Sequence, residues 1–118
     1  MKLRIEGDSL KLQRLVHRNR LLDALASWFL QVLPEGILQT RDEAEVARGL
    51  KAAANTLERQ GIALLELQLL VLTTMVCIGA DFEQRHPAAG QVLHSRRLDE
   101  EAKARWFEQF LDSFPYLH

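Results

Sequence analysis

Ile62-Ala63-Leu64-Leu65-Glu66-Leu67-Gln68-Leu69-Leu70-Val71-Leu72-Thr73-Thr74-Met75-Val76-Cys77-Ile78, bounded by Gly61 and Gly79, is the stretch that decides the fold. It is apolar around almost its whole circumference. A surface helix shows one apolar stripe and one polar face, so a helix apolar on every side must be covered by other elements. The stretch therefore predicts a central buried helix over 62–78, with the remainder of a small all-α domain packed around it.

A membrane span is the competing reading. At 1.5 Å per residue the segment reaches roughly 26 Å, whereas a bilayer core requires about 30 Å and some 20 apolar residues. Glu66 and Gln68 lie near one end, Thr73 and Thr74 lie in the middle, and no Lys or Arg cluster flanks either glycine. Orientation signals of that kind accompany membrane helices. A buried helix in a domain outside the membrane is the expectation.

Outward from this segment the pattern is helical throughout. Leu12, Leu15, Val16, Leu22, Leu25, Phe29 and Val32 recur at three- and four-residue steps. They predict a first helix over 9–33, capped by Asp8 or Ser9 and stopped by Pro34 and Gly36. Residues 1–6 alternate apolar and charged and read as an extended lead-in. Thr40 followed by Glu43 has the form of a capping box and starts a second helix over 40–60. Its apolar stripe is Val46, Leu50, Ala53, Ala54 and Leu57. Gly61 suits the left-handed position that ends it, and the short link makes helices two and three close neighbours.

Beyond Gly79, Asp81 reads as a turn residue bonding nearby backbone N–H groups, and Phe82 as a plug into the core. Pro87 opens a short helix over 87–95. Asp99 caps a last helix over 99–114, with Glu100 and Glu101 matching the positive end of its dipole. Ala102, Trp106, Phe107, Phe110 and Leu111 line its inner face, and Pro115 ends it. The expectation is a single domain, 1–118, of five helices, with Leu67, Leu70, Val71, Thr74 and Ile78 buried.

The 118 residues suffice for a core without staples. The net charge of −1 carries no general bias toward nucleic acid or acidic lipid. Its distribution is uneven. Lys2, Arg4, Lys11, Arg14, Arg18 and Arg20 oppose only Glu6 and Asp8 within residues 1–20, a net of +4, which leaves −5 on the remainder. Cys77 is the sole cysteine, so no internal disulfide framework exists. It sits among apolar residues as a small hydrophobe, and the Met1–Asp8 stretch shows no apolar secretory core. A cytoplasmic location is expected.

Sequence motifs for chemistry are sparse. His17, His86, His94 and His118 show no metal-ligand spacing. Neither a phosphate-binding glycine loop nor a serine elbow is present, and the basic first helix lacks a recognition-helix turn for DNA. No catalysis, cofactor, metal, nucleic-acid or membrane partner is expected. The residues singled out for partner binding are Arg14, Arg18 and Arg20 on the basic face, and Asp81, Glu83, Arg85 and His86 beside the turn after Gly79. Trp28, Phe29, Trp106, Phe107, Phe114 and Tyr116 add large apolar surface, and exposed apolar surface marks interfaces; a homodimer follows as an expectation.

From Ala53 onward the order of features resembles a group of small helical proteins encoded beside type VI secretion spike, adaptor and effector genes in proteobacteria. The matching residues are Gly61-Ile62, Gly79-Ala80-Asp81-Phe82, Ala88 or Ala89, Val92-Leu93 and Lys103. Two departures stand out. Ala63-Leu64-Leu65-Glu66 replaces the Ser or Thr cap of that group, and Pro87-Ala88-Ala89 stands where a Trp often follows. The resemblance implies a non-catalytic binding protein, either an immunity protein for a cognate effector toxin or an effector-loading adaptor or chaperone. A helical homo-oligomerisation domain unrelated to secretion is the alternative that the residues leave open.

Overall fold

The computed structural model describes residues 2–38 and 40–113, of which 2–11 are described as backbone. The described residues form an all-α bundle of six helices without a strand: α1 (Lys2–Val32), α2 (Glu43–Arg59), α3 (Leu65–Cys77), α4 (Phe82–Arg85), α5 (Pro87–Leu93) and α6 (Glu100–Asp112). Phe114, Pro115 and Tyr116, read above as a helix end and further apolar surface, lie outside the described residues.

α1 is about 46 Å long at 1.5 Å per residue and pairs antiparallel with α2. Three side-chain contacts fix the register. Arg41 Nη2 donates to Leu30 O at 2.9 Å, Lys51 Nζ meets Asp23 Oδ1 at 2.9 Å, and Arg18 Nη2 donates to Asn55 Oδ1 at 2.7 Å. The buried residues of α1 follow the same line: Arg18, Leu22, Ala26 and Phe29, continued by Leu33 just past its end. α2 answers with Val46, Ala47, Leu50, Ala54 and Leu57. Since α2 ends at Arg59, the register carries the N-terminal half of α1 past its partner.

This corrects the expected first helix at both ends. No extended lead-in precedes it, because the helix already includes Lys2. Leu12, Leu15, Val16 and Val32, expected on its inner stripe, are exposed. The helical period in the sequence is real, but burial of Leu12, Leu15 and Val16 requires a neighbour that the short α2 does not supply.

The start of α2 also differs. Asp42 is the cap, accepting from Ala44 N at 3.0 Å, while Thr40 Oγ1 accepts from Asp42 N at 3.1 Å. A carboxylate adjacent to the first turn offers a charged acceptor, so the helix begins two residues later than a Thr40 capping box would place it. Its end matches expectation. Gly61 has φ +89°, Ile62 N donates to Leu57 O and Gly61 N to Glu58 O, both at 3.0 Å. These two bonds constitute a Schellman motif, which needs the left-handed residue.

α3 lies between α2 and α6. Leu67, Val71, Leu72, Thr74 and Cys77 are buried, whereas Leu70 and Ile78, expected to be buried, are half-buried. Thr73 and Thr74 hide their hydroxyls by donating to Leu69 O and Leu70 O at 2.8 Å, which satisfies the polar groups inside the apolar run. The helix starts at Leu65 rather than 62 and has no side-chain cap of its own. Instead Glu100 Oε1, from the first turn of α6, accepts from Ala63 N at 2.6 Å and Leu64 N at 3.3 Å.

α6 buries Ala104, Phe107 and Leu111, while Ala102, Trp106 and Phe110 are half-buried. Asp99 caps it as expected, accepting from Ala102 N at 2.7 Å. Phe107 is fully buried, edge-on to Phe82 with ring centroids 6.2 Å apart and to Trp106 at 5.1 Å. Phe82 thus plugs the core after the Gly79 turn. It begins α4, a one-turn helix absent from the sequence expectation.

Candidate functional site

A cleft of about 480 Å³ opens where α1 runs past the end of α2 and the chain turns into α3. Arg14, Leu15, His17 and Arg18 of α1 form one side, Glu58 of α2 and Ala63, Leu65 and Gln68 at the start of α3 the other. The Schellman turn at Gly61 creates the space by reversing the chain within a few residues, and the hydrogen bonds to Glu100 hold Ala63 and Leu64 in place.

Two polar side chains lie at its base. Arg18 is 5% exposed and Gln68 1%. Arg18 Nη2 is satisfied by Asn55, and Nη1 stands 3.1 Å from Glu58 Oε2. That approach lacks hydrogen-bond alignment, so both Nη1 and Nε have no hydrogen-bond partner among the described residues. Gln68 Nε2 donates to Ile62 O at 2.8 Å, and Gln68 Oε1 has no partner. A buried donor or acceptor left unpaired costs about 1–3 kcal/mol, more for a charged group. The cleft therefore carries unused donors and an unused acceptor beside the apolar surfaces of Leu15 and Leu65.

Among the residues singled out from sequence, Arg14 and Arg18 share this cleft, and Arg20 is exposed outside its lining. The other four cluster at α4. Arg85 Nε donates to Asp81 Oδ2 at 3.0 Å, so the Asp81 carboxylate serves an ion pair with Arg85 rather than the expected backbone bond. Glu83 Oε1 lies 2.5 Å from His94 Nε2, and the half-buried His86 ring meets Phe110 edge-on at 5.3 Å. Asp81, Arg85 and His94 are exposed. These contacts close the cluster on itself, and it lines neither this cleft nor the second one. The second, of about 410 Å³, is largely apolar and lies between α2 and α3 beside Ile37 and Leu38.

Asn55, Glu58 and Gln68 were not legible as site residues in the sequence. Gln68 within an apolar run is the one signal that pointed to them, because a lone amide there needs a partner. Among the described residues, no group of three His, Cys, Asp or Glu is placed to hold a metal ion, and no helix is long and apolar enough to cross a membrane. Burial pushes the Cys77 thiol up to about 11, which keeps it protonated and poorly nucleophilic near neutral pH. Comparison with protein-family models, curated proteins and solved structures finds no match.

Proposed function

We propose that this chain is a non-catalytic protein-binding module, and that its role is that of an immunity protein binding a cognate effector toxin within a bacterial type VI secretion cluster. One observation carries the binding reading: Leu12, Leu15 and Val16 are 62%, 44% and 42% exposed on a stretch of α1 that also bears Arg14, His17 and Arg20. A helix with uncovered leucine and valine next to basic side chains is suited to a protein surface. The secretion context rests on the resemblance from Ala53 onward.

Co-purification with the products of the adjacent genes tests this reading. The expected result is a stoichiometric complex with a toxin, and self-intoxication of the producer when the gene is deleted. Loss of toxin export without self-intoxication would replace the immunity role by that of an adaptor. Failure of both phenotypes and of complex formation would overturn the secretion reading.

A second reading draws on the same uncovered residues together with the charge asymmetry. The +4 segment of one copy and the −5 remainder of another are complementary, which favours a homodimer. Light scattering at about 100 μM, far above the dissociation constant of a stable dimer, separates a dimer from a monomer.

A further inference from the structure

We propose that the α1–α2–α3 cleft receives a carboxylate from an acidic, leucine-flanked segment of a separate protein partner. The inference rests on the protein-binding reading and names the chemistry of the contact.

Six observations converge on it. Arg18, nineteen-twentieths buried, has no hydrogen-bond partner for Nε–H or Nη1–H among the described residues, Nη1 making only the ion-pair contact with Glu58. Hydrogen bonds to ionised groups are about twice as strong as neutral ones, so an anion is the occupant that gains most there. Glu58, the present neighbour of Nη1, is a weak occupant: its carboxylate is 45% exposed and out of hydrogen-bond alignment. Glu58 is the solvent-facing member of the pair, and a partner carboxylate replaces it by displacing Glu58 into solvent. Arg14, on the cleft wall, supplies a further positive charge that Glu58 does not cancel.

Gln68 Oε1 decides between kinds of anion. It is a buried acceptor, held in that orientation because Gln68 Nε2 already donates to Ile62 O. An ionised phosphodiester group offers it only acceptors, whereas a polypeptide brings an N–H within reach of its own acidic side chain. The apolar row continues beyond the cleft at Leu12 and Val16, a length that a small carboxylic acid does not cover and a leucine-bearing segment does. Residues 1–20, with their +4 charge, steer an acidic segment toward this end of the molecule.

The test is a titration of the full chain, isotopically labelled, with a short synthetic peptide alternating leucine and glutamate, followed at the Arg18 Nε–H and Gln68 side-chain amide resonances. Saturable shifts of both are expected. The same peptide with glutamine for glutamate should bind at least about tenfold more weakly. Arg14→Glu, an exposed substitution that leaves the fold intact, should weaken binding by a similar factor, and Arg97→Glu, outside the cleft, should not. Equal binding of the two peptides, or no shift at these resonances with millimolar peptide, overturns the inference. So does loss of self-association in Arg14→Glu, which would assign the cleft to a second copy. The titration is independent of any adjacent gene product. A native complex that forms but is insensitive to Arg14→Glu rejects the cleft and keeps the binding reading. Absence of a native complex, with the peptide result positive, does the reverse.

Discussion

Glu100 Oε1 accepts a hydrogen bond from the backbone N–H of Ala63 at 2.6 Å across 37 positions of sequence. α3 has no side-chain cap, and this carboxylate from the first turn of α6 instead serves the two N–H groups, of Ala63 and Leu64, that lead into the helix. The same bond holds the strand of backbone that forms one wall of the cleft.

Glu100→Ala should therefore destabilise the protein by about 1–2 kcal/mol, as expected when backbone N–H groups lose a charged acceptor. Glu100→Gln keeps an acceptor and should lose less. Urea denaturation monitored by circular dichroism measures both. A change of only a few tenths for Glu100→Ala would show that solvent serves Ala63 and Leu64 equally well.

Gly61→Ala and Gly79→Ala should differ in cost. At Gly61 a Cβ meets nothing within 4 Å, so only the φ of +89° is penalised. That is a loss of about 1–2 kcal/mol. At Gly79, φ is +131° and a Cβ would stand 2.7 Å from Asp81 Oδ1. Thermal unfolding should rank Gly79→Ala as the more harmful, and the opposite order would contradict the turn geometry.

Phe107→Ala should remove about 3–5 kcal/mol, as expected for a fully buried aromatic, because the ring is enclosed by Phe82, Trp106 and Phe110. Leu12→Ala should stay within about 0.5 kcal/mol, since Leu12 is 62% exposed. Two large apolar residues, one enclosed in α6 and one exposed on α1, then give contrasting outcomes in chemical denaturation. A large loss at Leu12 would mean that α1 is covered along its first half.

Cys77 introduces an alkaline dependence of stability. Burial raises its thiol from 9.0 to about 11, so the folded chain holds this proton more tightly than the unfolded chain. The contribution is fully present below pH 9 and is lost as pH rises through about 11, by roughly 1–3 kcal/mol. Comparison with Cys77→Ala isolates it: the difference in unfolding free energy between the two proteins should change across that window and be constant from pH 6 to 8. Slow alkylation of Cys77 in the folded protein is the companion result. A pH-independent difference, or rapid alkylation at neutral pH, would place the thiol in water.

The local punctuation was readable without coordinates because it depends on neighbours in the chain. Gly61 needs only its φ, Asp99 only the N–H of Ala102, and Phe82 only its place after a tight turn. Thr40 misled because Asp42, two residues on, is a stronger acceptor for the same helix end. Asp81 misled because Arg85, one helical turn later, claims the carboxylate. The periodicity of Leu12, Leu15 and Val16 was indistinguishable from that of Leu22 and Phe29, since a periodic stripe records the side a helix can bury and not the length of its neighbour.

The candidate site lies at the far end of the same distinction. By itself the amino-acid sequence determined an all-α chain, an apolar third helix, the glycine turns around it and a basic N-terminal segment, all of which follow from spacing, backbone freedom and charge along the chain. Only the tertiary structure decided that α1 overruns α2, that Glu100 holds the backbone leading into α3 and that Arg18 and Gln68 line one cleft with polar atoms lacking hydrogen-bond partners. Those relationships join residues 37 to 50 positions apart; they depend on helix lengths and register, which set where one element stops covering another.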